Sequence, residues 1–168
     1  MSLLPEASGA DFSLCRRWRY RLWRQWDESK PIFNFVGCNP SVADELKLDN
    51  TVRKVMTLAA ELGYGRLEVT NCFAWVDTDP ADMREASARG LNIVGADNDL
   101  WLAACAKAAG MVVCAWGLNA QYQKRSTAVE LLLRQHGYGK LCVLDFSKDG
   151  TPKHPLYLSS KLRPRLWA

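Results

Sequence analysis

The sequence predicts an α/β protein built as a three-layer α/β/α sandwich, with a mainly parallel four-stranded sheet at its centre. Four short apolar runs have the length and composition of buried strands: residues 32–36, 67–73, 111–116 and 141–144. Segments with apolar residues at helical spacing lie between these runs. Such alternation is typical of a parallel sheet with helices on both faces, because each crossover between parallel strands requires a long connection.

The N-terminal region precedes the first of these strands. Residues 1–15 show no strong pattern and predict a loosely ordered entry segment. Residues 17–26 alternate in part between aromatic and basic side chains, which favours a half-buried edge strand, and turn residues follow at 27–31. Because the sequence contains no linker, repeat or low-complexity tract, residues 1–168 are expected to form a single domain.

Three segments are predicted to be helical. The first begins after Asp49, a residue suited to helix capping, and ends at Gly63; its apolar positions are Val52, Val55, Met56, Ala59 and Leu62. The second covers residues 97–109 and is expected to bury one face, made of Leu100, Trp101, Ala104, Cys105 and Ala108. The third covers roughly residues 119–135 and ends near His136. No structure is predicted for the connection that opens at Asp79 and Pro80.

The composition permits several partners. A net charge of +4 is mildly basic, so it allows a nucleic-acid partner without requiring one. The basic residues are concentrated in two places: Arg16, Arg17, Arg19, Arg21 and Arg24, and then Lys153, Lys161, Arg163 and Arg165. Either cluster could equally be a solvated face. A hydrophobic content of 48% is sufficient for a buried core.

The six cysteines are spaced singly, and none belongs to a Cys-x-x-Cys pair. Most lie in or beside apolar runs, where cysteine packs as a small hydrophobic residue. We therefore expect reduced thiols in a cytoplasmic protein, with no disulfide framework, no metal site and no cofactor. The N-terminus has no apolar stretch that would predict a signal peptide or a membrane span.

Polar or turn residues follow the predicted strands. Gly37-Cys38-Asn39-Pro40 ends the first strand, Thr70-Asn71 ends the second and Trp116-Gly117 ends the third, while His154 lies in the loop after the fourth. Open α/β sheets bind ligands at the carboxyl ends of their strands. Asn39, Asn71 and His154 are therefore expected to line one cleft that can hold a planar polar molecule.

Each of these side chains also has a purely structural interpretation. Asn39 precedes a proline that restricts its backbone, so its amide could orient a water molecule or simply close its own turn. Asn71 could hydrogen-bond the edge of a base, or be a buried amide satisfied by the backbone. His154 could donate to an oxygen that gains charge as a leaving group departs, or lie at the surface bonded to a turn.

Together these motifs resemble those of the uracil-DNA glycosylase superfamily, over roughly residues 32–160. Segment 37–40 is similar to the superfamily's Gly-x-(Asp/Asn)-Pro motif, segment 116–121 to Trp-Gly-x-x-Ala-Gln, and segment 154–159 to His-Pro-x-x-Leu-Ser. Thr70-Asn71 resembles the Thr-Asn of the mismatch-specific branch, whose asparagine meets the flipped base. The chain also resembles, over nearly its whole length, an uncharacterised family of bacterial and phage proteins, domain of unknown function 1643, at segments 39–44, 49–51, 115–117 and 154–157.

The glycosylase resemblance implies a uracil-DNA glycosylase-like fold and a set of site residues. Asn39 would orient water and His154 would stabilise the departing base, so both would be catalytic, while Leu158 would wedge into the base stack. The substrate-binding residues would be Pro40, Ser41, Asp49, Thr51, Asn71, Phe73, Trp116, Gly117, Pro155 and Leu158. The chain departs from the superfamily at Leu156, where a serine that helps to hold phosphate is usual, and at Asn39, a poorer base than aspartate.

Three functions are compatible with these observations. The first is hydrolysis or processing of a nucleobase in nucleic acid. The second is a module that binds a nucleotide or nucleic acid in the same pocket without turnover. The third is a small-molecule enzyme on the same fold; a strong salt dependence of DNA binding would favour the first two over this third one.

Overall fold

The computed structural model describes residues 4–41, 48–136, 139 and 141–168. Within this part of the chain, one sheet contains seven strands: β1 (Ala7–Phe12), β2 (Arg19–Gln25), β3 (Ile32–Gly37), β4 (Arg66–Asn71), β5 (Met111–Cys114), β6 (Leu141–Val143) and β7 (Arg165–Leu166). Their spatial order is β1-β2-β4-β3-β5-β6-β7. The helices are α1 (Asn50–Glu61), α2 (Pro80–Ala88), α3 (Asn98–Ala108) and α4 (Arg125–Gln135), with 3₁₀ helices at Leu118–Lys124 and Pro155–Tyr157.

The four predicted strands form the centre of the sheet as β3, β4, β5 and β6, and they run parallel to one another. The expectation of a four-stranded sheet needs correction, because β1 and β2 extend one side with antiparallel pairing and β7 extends the other. The fold is therefore α/β with a mixed seven-stranded sheet.

The N-terminal region differs most from its prediction. Residues 7–12, expected to be loosely ordered, form β1 and pair with β2, so β2 lies inside the sheet and is not an edge strand. The β1 sequence lacks the apolar alternation that marks most strands. Glycine is needed at position 9 because the β1 backbone approaches the Trp23 ring closely there; a Cβ atom would come within 2.7 Å of the ring. Asp11 adds an ion pair with Arg21 at 2.8 Å.

Helices cover both faces of the sheet. On one face α1 packs through the buried residues Val52, Val55, Met56 and Ala59. On the other face α2, α3 and α4 share a cluster that includes Met83, Leu102 and Leu133. No helix in the described part of the chain has both the length and the apolar character that crossing a bilayer requires.

The ends of α1 match their prediction. Asp49 caps the helix because its Oδ1 accepts a hydrogen bond from Val52 N at 2.7 Å. Gly63 follows the helix with a φ of +86°, a left-handed conformation that glycine adopts without steric cost. The local sequence therefore determines both where α1 begins and where it stops.

The buried face of α3 differs from the predicted one. Of the predicted face, Cys105 is buried as expected, but Leu100 is 71% exposed, and Leu102 and Ala106 are buried instead. The rotation of the helix is fixed by Asn98, whose buried Nδ2 donates to Asn71 O at 3.0 Å and Cys72 O at 3.1 Å. A polar anchor of this kind lies outside what hydrophobic spacing can reveal.

The segment predicted as one helix over residues 119–135 is divided. A 3₁₀ helix precedes α4, and the break falls at Gln123 and Lys124, which have φ values of +53° and +56°. Arg125 then begins α4 and is buried, with Nε donating to Cys72 O at 2.6 Å and its guanidinium paired with Asp99. His136 ends α4, as the sequence predicts. The connection after Asp79 forms α2, with Asp79 as its cap.

Candidate functional site

A cleft of about 860 Å³ opens at the carboxyl ends of the parallel strands. Its wall is formed by the ends of β3, β4 and β5, by the first turn of α1, and by the loop that carries His154. Of the residues predicted for the site, eight line it: Asn39, Ser41, Asp49, Thr51, Asn71, Trp116, Gly117 and His154. The topology brings these groups together because neighbouring parallel strands end at the same edge of the sheet.

The Asn39 amide holds two loops of the cleft together. Its Nδ2 donates to Asp77 O at 2.8 Å and to Pro40 O at 3.3 Å. Asp77 N in turn donates to Pro40 O at 3.0 Å, so the loops after β3 and β4 are joined. The nitrogen of the Asn39 side chain is therefore occupied by backbone oxygens, and Oδ1 is the atom left to accept a hydrogen bond from a ligand or water.

The Asn71 side chain occupies a tightly confined position in the cleft. It is only 5% exposed and lines the cleft at the end of β4. Its side-chain amide has no hydrogen-bond partner among the residues that the structure describes. Neither atom of this amide is among the fully buried polar atoms that lack a partner, so the amide is accessible from the cleft and can bind a ligand or water there. The position of the amide depends on Gly37, the residue paired with Asn71 on β3, because a Cβ atom on Gly37 would lie 2.7 Å from Asn71 Oδ1.

Phe35 provides an apolar surface beside that amide. It is 2% exposed and lines the cleft two residues before Gly37 on β3. Residues two apart on a strand share one face, so Phe35 and Gly37 lie on the same side of the sheet. The ring and the Asn71 amide thus combine an aromatic surface with hydrogen-bonding groups that have both donor and acceptor character.

His154 begins the short 3₁₀ helix that forms another wall of the cleft. Its Nδ1 accepts a hydrogen bond from Leu156 N at 3.3 Å, so the neutral ring carries its proton on Nε2. Burial lowers the pKa of His154; the nearby Asp49 carboxylate acts in the opposite direction, and the Lys54 ammonium lowers the pKa further. A neutral imidazole with a fixed tautomer is therefore favoured at pH values near neutrality.

The position of His154 is secured from two sides. Lys54, on α1, donates from Nζ to the carbonyl oxygens of Pro155 and Leu158. On the other side Gly117 N donates to Pro152 O at 2.9 Å, two residues before His154. Both hydrogen-bonding contacts hold the backbone beside His154, which limits the range of positions open to the imidazole.

The N-terminus of α1 contributes polar groups to the same cleft. Asp49 accepts from Val52 N through Oδ1 and from the Ser41 hydroxyl at 2.9 Å through Oδ2. Asp49 is thus a helix cap, the structural role that the sequence favours. Thr51, one residue into α1, also lines the cleft.

Four residues implied by the resemblance lie elsewhere. Phe73 is fully buried in the core on the α2–α4 side of the sheet, and Pro40 is buried with its carbonyl as an acceptor for Asn39. Pro155 and Leu158 line a second groove and not the cleft. Phe73 cannot reach the cleft because it follows β4 toward the opposite face of the sheet, where α2 and α3 cover it.

Several cleft residues were missed by sequence reasoning. They include Phe35, Arg19, Asp77 and Lys153. For Phe35 a signal was available, because the two-residue period of β3 places it beside Gly37. For Arg19 there was none, since its approach depends on the antiparallel pairing of β2 with β4. Arg19 is 3% exposed, and its guanidinium donates from Nη1 to Ser41 O at 3.4 Å.

The cleft chemistry excludes a thiolate nucleophile at its one cysteine. Cys38 lines the cleft, and burial raises the pKa of its thiol to about 12, which keeps it protonated. In the described residues no group of three or more histidine, cysteine or acidic side chains is arranged to hold a metal ion. Among the other lining groups are an aromatic ring, two amides and a neutral imidazole, which together match a planar molecule with carbonyl and N–H groups at its edge.

Comparison with known proteins adds a family assignment. A family model described as "Protein of unknown function (DUF1643)" matches residues 19–156, which include the whole of the predicted site except Leu158. No curated protein matches the chain, and no solved structure matches it.

Proposed function

This chain belongs to the DUF1643 family of proteins of unknown function, and we propose that it binds a nucleobase in the cleft and hydrolyses the bond between that base and its sugar. The observation that carries the proposal is the Asn71 side chain: the residue is only 5% exposed, and its amide faces the cleft without a hydrogen bond to any described residue. A base edge offers the paired donor and acceptor that such an amide can bind in two places.

The neighbouring groups support a base as the ligand. The Phe35 ring supplies an apolar surface for a flat molecule, and base–aromatic contact is favourable for every base. The motifs that resemble the uracil-DNA glycosylase superfamily supply Asn39, Asn71, Trp116 and His154, which all line this cleft. The resemblance and the geometry therefore support the same ligand class.

The proposed reaction is hydrolysis of an N-glycosidic bond. A water molecule, oriented by Asn39 Oδ1, attacks the anomeric carbon as the carbon–nitrogen bond breaks. The bonding electron pair leaves with the base, and His154 Nε2–H donates a hydrogen bond to the base oxygen on which negative charge develops. The proton lost by the water passes through solvent to the departing base, which leaves neutral. Asn39 takes no proton, so its contribution is position.

A module that binds a base without turnover is the second candidate. It is favoured by one observation: the Asn39 nitrogen is bound to two backbone oxygens, so this side chain already has a structural role. In this case Asn71 and Phe35 would keep their functions, and His154 would bind the ligand oxygen in its ground state.

The experiment is a base-release assay with the wild type and with Asn71→Ala. Substrates are uracil-, hypoxanthine- and mismatch-containing oligonucleotides, single- and double-stranded, and the free base is detected by mass spectrometry. Release by the wild type, reduced in Asn71→Ala, is the expected result. Affinity that depends on Asn71 without release would establish the binding module, whereas neither release nor affinity would overturn both candidates.

A further inference from the structure

A second groove, of about 560 Å³, lies between α1 and the segment that follows His154. We infer that it binds the sugar-phosphate backbone of a single nucleic-acid strand whose base occupies the cleft. The inference rests on the proposed function, and it specifies the substrate as a strand and not a free nucleoside. The groove is lined mainly by one face of α1 and by residues 158–163.

The charge of the groove matches a polyanion. Four basic side chains line it, Arg53, Lys54, Lys161 and Arg163, against a single acidic one, Glu61. Two of the four have protein partners: Lys54 bonds carbonyl oxygens, and Arg163 pairs with Glu61 at 2.9 Å. The other two, Arg53 and Lys161, form no ion pair with any described residue and are exposed. They are available for phosphate groups.

The floor of the groove differs from its rim. Val55 and Leu144 are buried there, and Leu58 and Leu158 are partly buried beside them, while Ser159 and Ser160 lie along the edge. An apolar floor with cationic and hydroxyl groups at its rim suits a chain of sugars and phosphates, whose apolar and charged parts alternate. The volume of the groove lies in the range of small-ligand pockets, which is compatible with a short stretch of a single strand.

The groove continues from the cleft. Asn50 lines both, and the 3₁₀ helix at Pro155–Tyr157 separates them: Leu156 and Tyr157 face the cleft, whereas Pro155 and Leu158 face the groove. A ligand that is held at His154 and extends over this one helical turn would therefore reach the groove. A nucleic-acid strand has this form, with a flat base at one site and negative charge at the next.

The test compares two double variants. Arg53→Glu/Lys161→Glu alters the groove, and Arg89→Glu/Lys107→Glu makes the same charge change on exposed residues of the α2–α3 side, which line neither cavity. Binding of a labelled single-stranded oligonucleotide and of a mononucleotide is measured by fluorescence anisotropy as salt increases. Each phosphate contact in a single strand contributes about −0.7 to the slope of log K against log salt.

Loss of two contacts should make that slope shallower by about 1.4 in the groove variant. Between ~50 and ~200 mM salt the wild type should therefore lose about sevenfold more affinity than the groove variant. The control variant should keep the wild-type slope, and mononucleotide binding should be unchanged in all three proteins. Equal slopes in the two variants would overturn the inference. If mononucleotide binding still depends on Asn71 in that case, the proposed function stands without the groove; if Asn71→Ala changes neither ligand, the proposed function fails separately.

Discussion

The two ring nitrogens of His154 have different roles. Nδ1 accepts the Leu156 amide and so begins the 3₁₀ helix, while Nε2 carries the proton of the neutral ring. Asparagine can perform the first role, since its side-chain oxygen is a good cap, but its amide is too short to replace Nε2 at the same place. The two roles can therefore be separated by substitution.

We expect His154→Asn and His154→Ala to lower the rate constant of base release by about a hundredfold, because each removes the donor that stabilises developing charge in the proposed reaction. Only His154→Ala should also destabilise the fold, by about 1 kcal/mol, because it removes the cap. Single-turnover kinetics and urea unfolding measure the two effects. A wild-type rate in His154→Asn would show that Nε2 is not part of the reaction.

The lowered pKa of His154 has a consequence for stability. The unfolded chain titrates near the ordinary histidine value of about 6.5, and the folded chain titrates below it. Between those pKa values the unfolded state binds more protons, so stability falls as pH decreases through this window and is unaffected above it. Protonation of Nδ1 would also break its bond with Leu156 N. Urea unfolding from about pH 8 to about pH 5 should show that the free energy of unfolding of the wild type falls on acidification, and that this fall is smaller in His154→Asn. Identical pH profiles would contradict the assigned burial.

At the scale of elements, the contact between β3 and β4 determines the position of the candidate base-reading group. Gly37 and Asn71 are paired residues, and the missing side chain at Gly37 is what allows the Asn71 amide to lie where it does. The same edge is braced from the other face of the sheet, where Asn98 on α3 donates to Asn71 O. The amide is thus placed by three elements and not by its own loop.

Gly37→Ala should weaken base binding about tenfold or more, because the new Cβ would displace Asn71 Oδ1 from 2.7 Å away and disturb a bidentate pair. Gly139→Ala is the matched control, since a Cβ atom there meets no atom of the described residues within 4 Å. Calorimetric titration with free bases measures both variants. If the two variants bound free bases with equal affinity, a role of Asn71 in base binding would be contradicted.

The antiparallel side of the sheet depends on a buried carboxylate. Glu68 on β4 is 2% exposed and lies 3.0 Å from Arg21 Nη1 and 2.7 Å from Arg66 Nη2. We expect Glu68→Ala to cost about 2 kcal/mol of unfolding free energy, less than a fully buried pair because both arginines are partly solvated. Glu130→Ala breaks an exposed helical pair with Arg134 and should cost less than about 0.5 kcal/mol. Equal costs would show that the Glu68 pairs contribute nothing beyond a surface pair.

Elements held by apolar patterns could be predicted, and elements held by polar or backbone contacts could not. The central strands are continuous apolar runs, and α1 has an acidic cap and a glycine stop, so their sequences specify them. β1 is held by strand pairing and by Asp11, and α3 is rotated by the Asn98 amide. Neither effect leaves a periodic signal in the sequence.

At the scale of the whole molecule, the cleft follows from topology. Parallel strands end at one edge, which brought Asn39, Asn71 and His154 together as expected. Topology alone could not locate two of the predicted residues. The face of the sheet on which Phe73 lies depends on a shift of a single residue along the chain, and the position of Leu158 depends on how its segment packs against α1. The strand ends predict the position of the candidate site better than they predict which neighbouring residues line it.

The central claim is that the Asn71 amide binds the edge of a nucleobase. Heteronuclear NMR of the wild type, with the Asn71 side-chain signals assigned by comparison with Asn71→Ala, tests this claim most directly during titration with free bases. Our account predicts that one base shifts the Asn71 Nδ2 protons and the His154 Nε2 resonance together, saturating at a common dissociation constant. If no base moves the Asn71 signals, or if the bases that bind shift only residues outside the cleft, the account is contradicted.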